Sequence, residues 1–142
     1  MSTTERIVER LRAALATTGT HVESLEDRLI GVAGSPKPGR RITVYVRDDL
    51  DFDVAFHVPE KQSSPLEQVI VGPAEEVNEV QSAVVQFVTD LVCERLILLM
   101  DKRLIRGGRK FMMVSEMSPS TLKHASWIAS WRGTYDSDAP AA

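Results

Sequence analysis

Apolar residues recur at helical spacing near the start of the chain. Ile7, Val8, Leu11 and Leu15 fall on one side of a 3.6-residue repeat. Ser2-Thr3-Thr4-Glu5 precedes them as a capping box, with a hydroxyl at the helix start and a carboxylate three residues on. Gly19 can close the segment in a left-handed turn, so the pattern predicts a helix over 4–18. Strict alternation begins at Arg41. Ile42, Val44 and Val46 face one way; Thr43, Tyr45 and Arg47 face the other. Asp51–Val58 repeats the pattern with Phe52, Val54, Phe56 and Val58 inward. Asp48-Asp49 supplies turn chemistry between the two runs, which predict an antiparallel hairpin with one buried face. Ser24–Val32 and Leu66–Val71 read as further strands. Ser35–Gly39, with two prolines and a glycine, is a loop.

Gly72-Pro73 halts the strand before it, and Glu75 and Glu76 place negative charge where a helix N-terminus favours it. Val77, Val80, Val84, Phe87, Val88 and Leu91 mark one stripe of a helix over about 74–93, with Cys93 nearly opposite that stripe. Leu96–Ile105 and Arg109–Glu116 flank Gly107-Gly108, a pair suited to a two-residue hairpin turn. That turn would set Arg106 opposite Arg109, Leu104 opposite Phe111 and Met100 opposite Ser115. Leu98, Met100, Leu104, Phe111 and Met113 would form the core face. Leu99, Asp101, Arg103, Ile105, Lys110, Met112 and Val114 would form a mixed outer face. Ser118-Pro119 reads as the cap and first residue of a last helix running to about Trp131. The pattern predicts an α+β fold: an antiparallel sheet of about five strands with helices packed mainly on one face, in the order α-β-β-β-α-β-β-α. Residues 1–135 would form a single domain, and 136–142 a disordered tail.

Composition narrows the class. The chain has 142 residues, 43% hydrophobic and 26% charged, which excludes global disorder. Its one cysteine excludes an intramolecular disulfide and suits a reducing compartment. The N-terminus lacks an apolar signal core, and no apolar run approaches the ~20 residues that span a bilayer. These features point to a cytoplasmic protein without membrane contact. No phosphate loop, dinucleotide fingerprint, nucleophile elbow or zinc spacing occurs, so no catalytic residue and no cofactor is assigned.

Charge layout changes the picture. The net charge of −3 conceals eleven acidic side chains and one basic one over residues 48–94, then eight basic and two acidic over 95–132. The two segments can neutralise each other, or either can meet a charged partner.

Three groups are candidates for chemistry. Asp51 and Asp53 point to one face of their strand with Cα atoms roughly 7 Å apart, an arrangement two carboxylates can use to hold Mg²⁺. Gly34-Ser35 followed by Asp51-Phe52-Asp53 resembles two pieces of the nucleotidyltransferase superfamily. That resemblance implies a divalent-metal enzyme, although a proline-rich loop stands where that family has a helix. The second group is the basic hairpin of Lys102, Arg103, Arg106, Arg109 and Lys110. Opposed arginines repel, so an anionic partner would stabilise it: an acidic protein surface, or nucleic acid. The third is the last helix, whose Trp127 and Trp131 lie one turn apart. With Ile105, Met112 and Val114 they would make an apolar docking surface, because tryptophan is favoured at interface hot spots.

The central helix Ala74–Cys93, the hairpin Leu96–Glu116 and the closing helix Pro119–Trp131 together resemble the type III secretion chaperone-like superfamily, including its YbjN-type members. The resemblance implies a small, acidic, often dimeric module that binds a protein segment. The leading expectation is therefore a non-enzymatic protein-binding module, of chaperone, adaptor or immunity type. Its partner-binding residues would be Arg103, Ile105, Arg106, Arg109, Lys110, Met112, Trp127 and Trp131. The divalent-metal enzyme on Asp51 and Asp53 is the first alternative. Nucleic-acid binding through the basic hairpin is the second. A protein partner and a homodimer are the expected assemblies.

Overall fold

In the computed structural model, residues 1–103 and 108–138 are described. The chain forms two compact units, Met1–Thr89 and Asp90–Ala142.

In the first unit, the Ser2 hydroxyl accepts from the Glu5 N–H and starts α1, Thr3–Ala14. Ile7, Val8, Leu11 and Leu15 are all buried, as their spacing requires. The helix stops four residues before the predicted end. The Thr18 hydroxyl bonds the Leu15 carbonyl, a local alternative to the helical ladder. Gly19 then takes the positive φ expected of it.

The stretch read as one strand, Ser24–Val32, is instead a hairpin of β1 (His21–Glu26) and β2 (Leu29–Ala33). Asp27-Arg28 makes the turn, and the Asp27 carbonyl is fixed by the Thr4 hydroxyl at 2.8 Å. β3 (Arg41–Asp48), β4 (Asp51–His57) and β5 (Leu66–Val71) follow, giving an antiparallel sheet in the order β1-β2-β3-β4-β5. The alternation holds: Ile42, Val44, Val46, Phe52, Val54 and Phe56 are all buried. The Asp48 carboxylate accepts from the Leu50 N–H and closes the tight turn between β3 and β4.

A single 3₁₀ turn, Ala74–Glu76, leads into α2, Val77–Val92. Val80, Val84, Val88 and Leu91 are its buried stripe, and Cys93 beyond it is exposed. The Arg10 guanidinium reaches Ser82 at 2.6 Å and ties α2 to α1.

In the second unit, among the described residues, β6 (Leu96–Asp101), β7 (Arg109–Met113), β8 (Ala125–Ala129) and β9 (Ser137–Asp138) form a sheet in the order β7-β6-β8-β9. The predicted register of the β6–β7 hairpin is overturned. Met100 pairs with Arg109 and Leu98 with Phe111. The Asp101 N–H donates to the Gly108 carbonyl at 2.8 Å. Strand β6 ends at Asp101 because its carboxylate accepts the Arg103 N–H at 2.9 Å and turns the chain there. Leu104, Ile105, Arg106 and Gly107 lie outside the described residues.

The final helix is also corrected. Ser118 and Thr121 form a reciprocal capping box with Pro119 in the first turn, but α3 spans only Pro119–His124. Ala125–Ala129 is a strand, pairing with β6 on one side and β9 on the other. Ala125, Ile128 and Ala129 fit either periodicity, and ladder pairing with an apolar central strand decides. Both the hairpin over 96–116 and the closing helix are therefore built differently from their expected forms. Ser137 and Asp138, expected in a structureless tail, form β9. Residues 139–142 lie outside the described ones.

Candidate functional site

The basic hairpin is held from within its own unit. Asp101 is buried, and its two carboxylate oxygens take the Arg103 Nε at 3.1 Å and Nη2 at 2.9 Å. Lys110 Nζ stands 3.6 Å from the same group. The Arg103 hydrogen bond is the main reason the Asp101 carboxyl lies far below the usual carboxylate range. Such bidentate geometry fixes the arginine as well as neutralising it. Arg103 and Lys110 thus share an internal counter-ion. Arg109 is half-buried opposite Met100, and Arg106 lies outside the described residues.

The apolar part of the expected docking surface is largely internal. Met112 and Val114 pack against a buried cluster of Ile97, Leu99, Ala125 and Ile128, joined by Met117 and Tyr135. This is the face read from sequence as the mixed outer one. The register slip is an even number of positions, so each residue keeps its side. Because Leu98 is buried too, β6 is covered on both faces. Trp131 is 1% exposed. Trp127 is half-buried in β8, opposite Met100 and Asp138. The two tryptophans therefore share no helical face. Ile105 lies outside the described residues.

The two strand carboxylates are not equivalent. Asp53 is 7% exposed, and its Oδ2 accepts from Arg47 Nε at 3.0 Å and Nη2 at 2.5 Å. Asp51 stands at the end of β4, opposite Asp48 on one side and Val71 on the other. Asp53 thus gives Oδ2 to a guanidinium, while its Oδ1 is buried without a hydrogen-bond partner. No group of three or more His, Cys, Asp or Glu is placed to hold a metal among the described residues. His57 bonds Thr43 at 2.9 Å, and burial, aided by Arg41, lowers its pKa. It lines a cavity of about 70 Å³ with Arg41, Gln62 and Ser63, well below the ~300–1,000 Å³ of small-molecule sites.

What the sequence reading did not single out is the open face of the first sheet. Register places Leu29, Tyr45, Asp53 and Val69 in one row across β2 to β5. Leu25 folds over Gly31 on the same face; a Cβ on Gly31 would come within 2.8 Å of the Leu25 side chain. Leu25, Tyr45, Val69 and Val71 are 49%, 41%, 55% and 64% exposed. The Arg47 guanidinium lies 5.5 Å from the Tyr45 ring centroid while holding Asp53, so it stiffens the centre of this face. Glu67 and Asp51 border the two valines. The outward position of Tyr45 followed from alternation. Val69 and Val71 did not stand out, because Leu66–Val71 mixes apolar and polar residues on both faces.

Compared with known proteins, the chain matches no family model, no curated protein and no solved structure. No helix among the described residues is long and apolar enough to cross a membrane.

Proposed function

We propose that this protein is a non-enzymatic protein-binding module whose working surface is the open face of the five-stranded sheet. The observation that carries the reading is the set of large apolar side chains left in water on that face: Leu25, Tyr45, Val69 and Val71. A sheet face backed by a full core on its other side is a rigid platform. Exposed apolar residues gathered on such a platform mark an interaction site. The border is acidic. Residues 48–79 carry nine acidic side chains and one lysine. The fitting partner is a protein surface with an apolar centre and a cationic rim, so electrostatics would speed encounter and docking would bury the tyrosine.

The interface expected from sequence, on Arg103, Ile105, Arg106, Arg109, Lys110, Met112, Trp127 and Trp131, is a weaker reading. Asp101 already holds Arg103 and Lys110, Trp131 is buried, and Met112 packs on the cluster of Ile97, Leu99, Ala125 and Ile128. A double variant, Leu25→Glu with Tyr45→Glu, tests the choice. Both side chains are partly exposed, so the variant should keep its circular dichroism, with a lowered melting temperature because Glu at position 45 opposes Asp53. A partner retained by the wild-type protein should be lost by the variant. Undiminished retention sinks the reading. Charge reversal of Arg103, Arg106 and Arg109 is the opposing arm: loss of capture there, with the sheet variant unaffected, returns the interface to the basic hairpin.

A further inference from the structure

The five-stranded sheet has two edges, and they are finished differently. β1, at one edge, carries Glu23 and Glu26 and breaks register between Ser24 and Glu26. A bulge and charges are standard protection against pairing with another chain. β5, at the other edge, has neither device. It pairs with β4 without a register shift from Leu66 to Val71, contains no proline or basic residue, and has Glu67 as its one charge.

The orientation of its free groups follows from one bond. Gly72 N–H donates to the Leu50 carbonyl. In an antiparallel ladder, bonded pairs recur every second residue. Ile70, Gln68 and Leu66 therefore turn their peptide groups to β4, while Glu67, Val69 and Val71 present theirs to the open edge. Consistent with this, the Val69 carbonyl is taken by the Gln68 side-chain amide at 3.1 Å, a local bond at an exposed position that a strand can displace.

We propose that β5 pairs antiparallel with β5 of a second copy of this chain, about a two-fold axis at Val69, to make a continuous ten-stranded sheet. The register follows from the outward groups. Val69 meets Val69 of the partner subunit, and Glu67 meets the partner's Val71. On the other face Gln68 meets the partner's Ile70. No like charges oppose each other, because the two Glu67 residues stand four positions apart, ~13 Å. Each bonded pair in this register contributes two backbone hydrogen bonds. The exposed Val69 gains the partner's Val69 directly opposite and the partner's Val71 on the diagonal, the cross-strand contacts that stabilise a sheet. A strand of six residues buries less than the roughly 1,200 Å² of a standard interface, so the dimer is a weak one. The inference does not depend on the proposed partner, because it rests on the edge rather than on the face.

Sedimentation equilibrium of the full chain tests it, from about 10 µM to about 1 mM, the range of weak association. The expected result is a monomer–dimer equilibrium. Val69→Lys places two lysines opposite each other and should raise the dissociation constant about tenfold or more. Register is checked in a Cys93→Ser background with a bis-maleimide too short to span ~13 Å. Val69→Cys should cross-link and Glu67→Cys should not. A monomer at every concentration overturns the proposal. So does a dimer indifferent to Val69→Lys, or one that cross-links equally through Glu67→Cys.

Discussion

Replacing Glu94 by alanine should loosen the second unit by about 1–2 kcal/mol at neutral pH. Glu94 follows α2 with φ 58°, a left-handed conformation uncommon for any residue but glycine. Its carboxylate accepts from the N–H groups of Arg132 and Thr134, both at 3.2 Å, and from the Thr134 hydroxyl at 2.5 Å. It thereby pins the loop that follows β8, in which the Tyr135 N–H also donates to the Ser130 hydroxyl at 3.1 Å. Hydrogen bonds to a charged group contribute ~1.5–3 kcal/mol each when shielded. These lie in contact with water, where loop amides rehydrate on deletion, so the sum is discounted to about 1–2 kcal/mol. Glycine at the same position loses the same bonds but relieves the left-handed strain of roughly 1 kcal/mol, so Glu94→Gly should be the milder change. The assay is urea unfolding followed by the fluorescence of Trp127 and Trp131, which both belong to this unit. The pH dependence is fixed in sign. Burial pushes the Glu94 carboxyl up, but hydrogen bonds from Ser130, Thr134 and Arg132 outweigh it, and the net shift is down. A lowered folded value means the contribution is complete above the unfolded pKa of about 4.3 and fades as pH falls through the folded one. The gap between wild type and Glu94→Ala should therefore shrink between pH 5 and pH 3. A gap that stays constant over that range, or a variant as stable as wild type, would refute the reasoning.

Two further substitutions probe the first unit. Phe56→Ala empties a fully buried site in β4 and should cost about 3–5 kcal/mol, read as a fall in the urea midpoint by circular dichroism. Gly34→Ala should cost more than about 1 kcal/mol: its φ is 101° and the added Cβ would lie 2.9 Å from the Gly19 carbonyl oxygen, a backbone atom that cannot swing away. A Gly34→Ala melting temperature equal to wild type would contradict that contact.

The fold was legible where one periodicity ran unopposed. Ile42–Val46 and Phe52–Val58 each alternate without a break, and every inward residue of the two runs is buried. The same logic failed for Ala125–Ala129, where two apolar patterns coincide and only pairing with β6 separates them. It failed for the β6–β7 register because Gly107-Gly108 was given more weight than Asp101. A short-range carboxylate-to-amide bond ended the strand first. Arginines and tryptophans are the residue types that bind, and their pattern along the chain does not reveal whether they are available. Arg103 finds its counter-ion only two residues away, at Asp101, whereas whether Trp131 is covered is decided by distant parts of the chain. The open sheet face was recoverable in part. Tyr45 was already on the outward side, and what was missing was the order of strands that sets Val69 in its row.

Strand β6 imposes an order on the making of this protein. Leu96-Ile97-Leu98-Leu99-Met100 is a run of β-forming, uncharged residues covered on both faces in the finished unit. Such a run, left open, joins readily to copies of itself. Its two neighbours in the sheet, β7 and β8, both come later in the chain. Translation therefore delivers the adhesive segment first and its covers afterwards. Until β8 emerges, one flank of β6 has no partner. Nascent chains are at greatest risk of coalescing in that interval, and slower elongation beyond Asp101 would lengthen it.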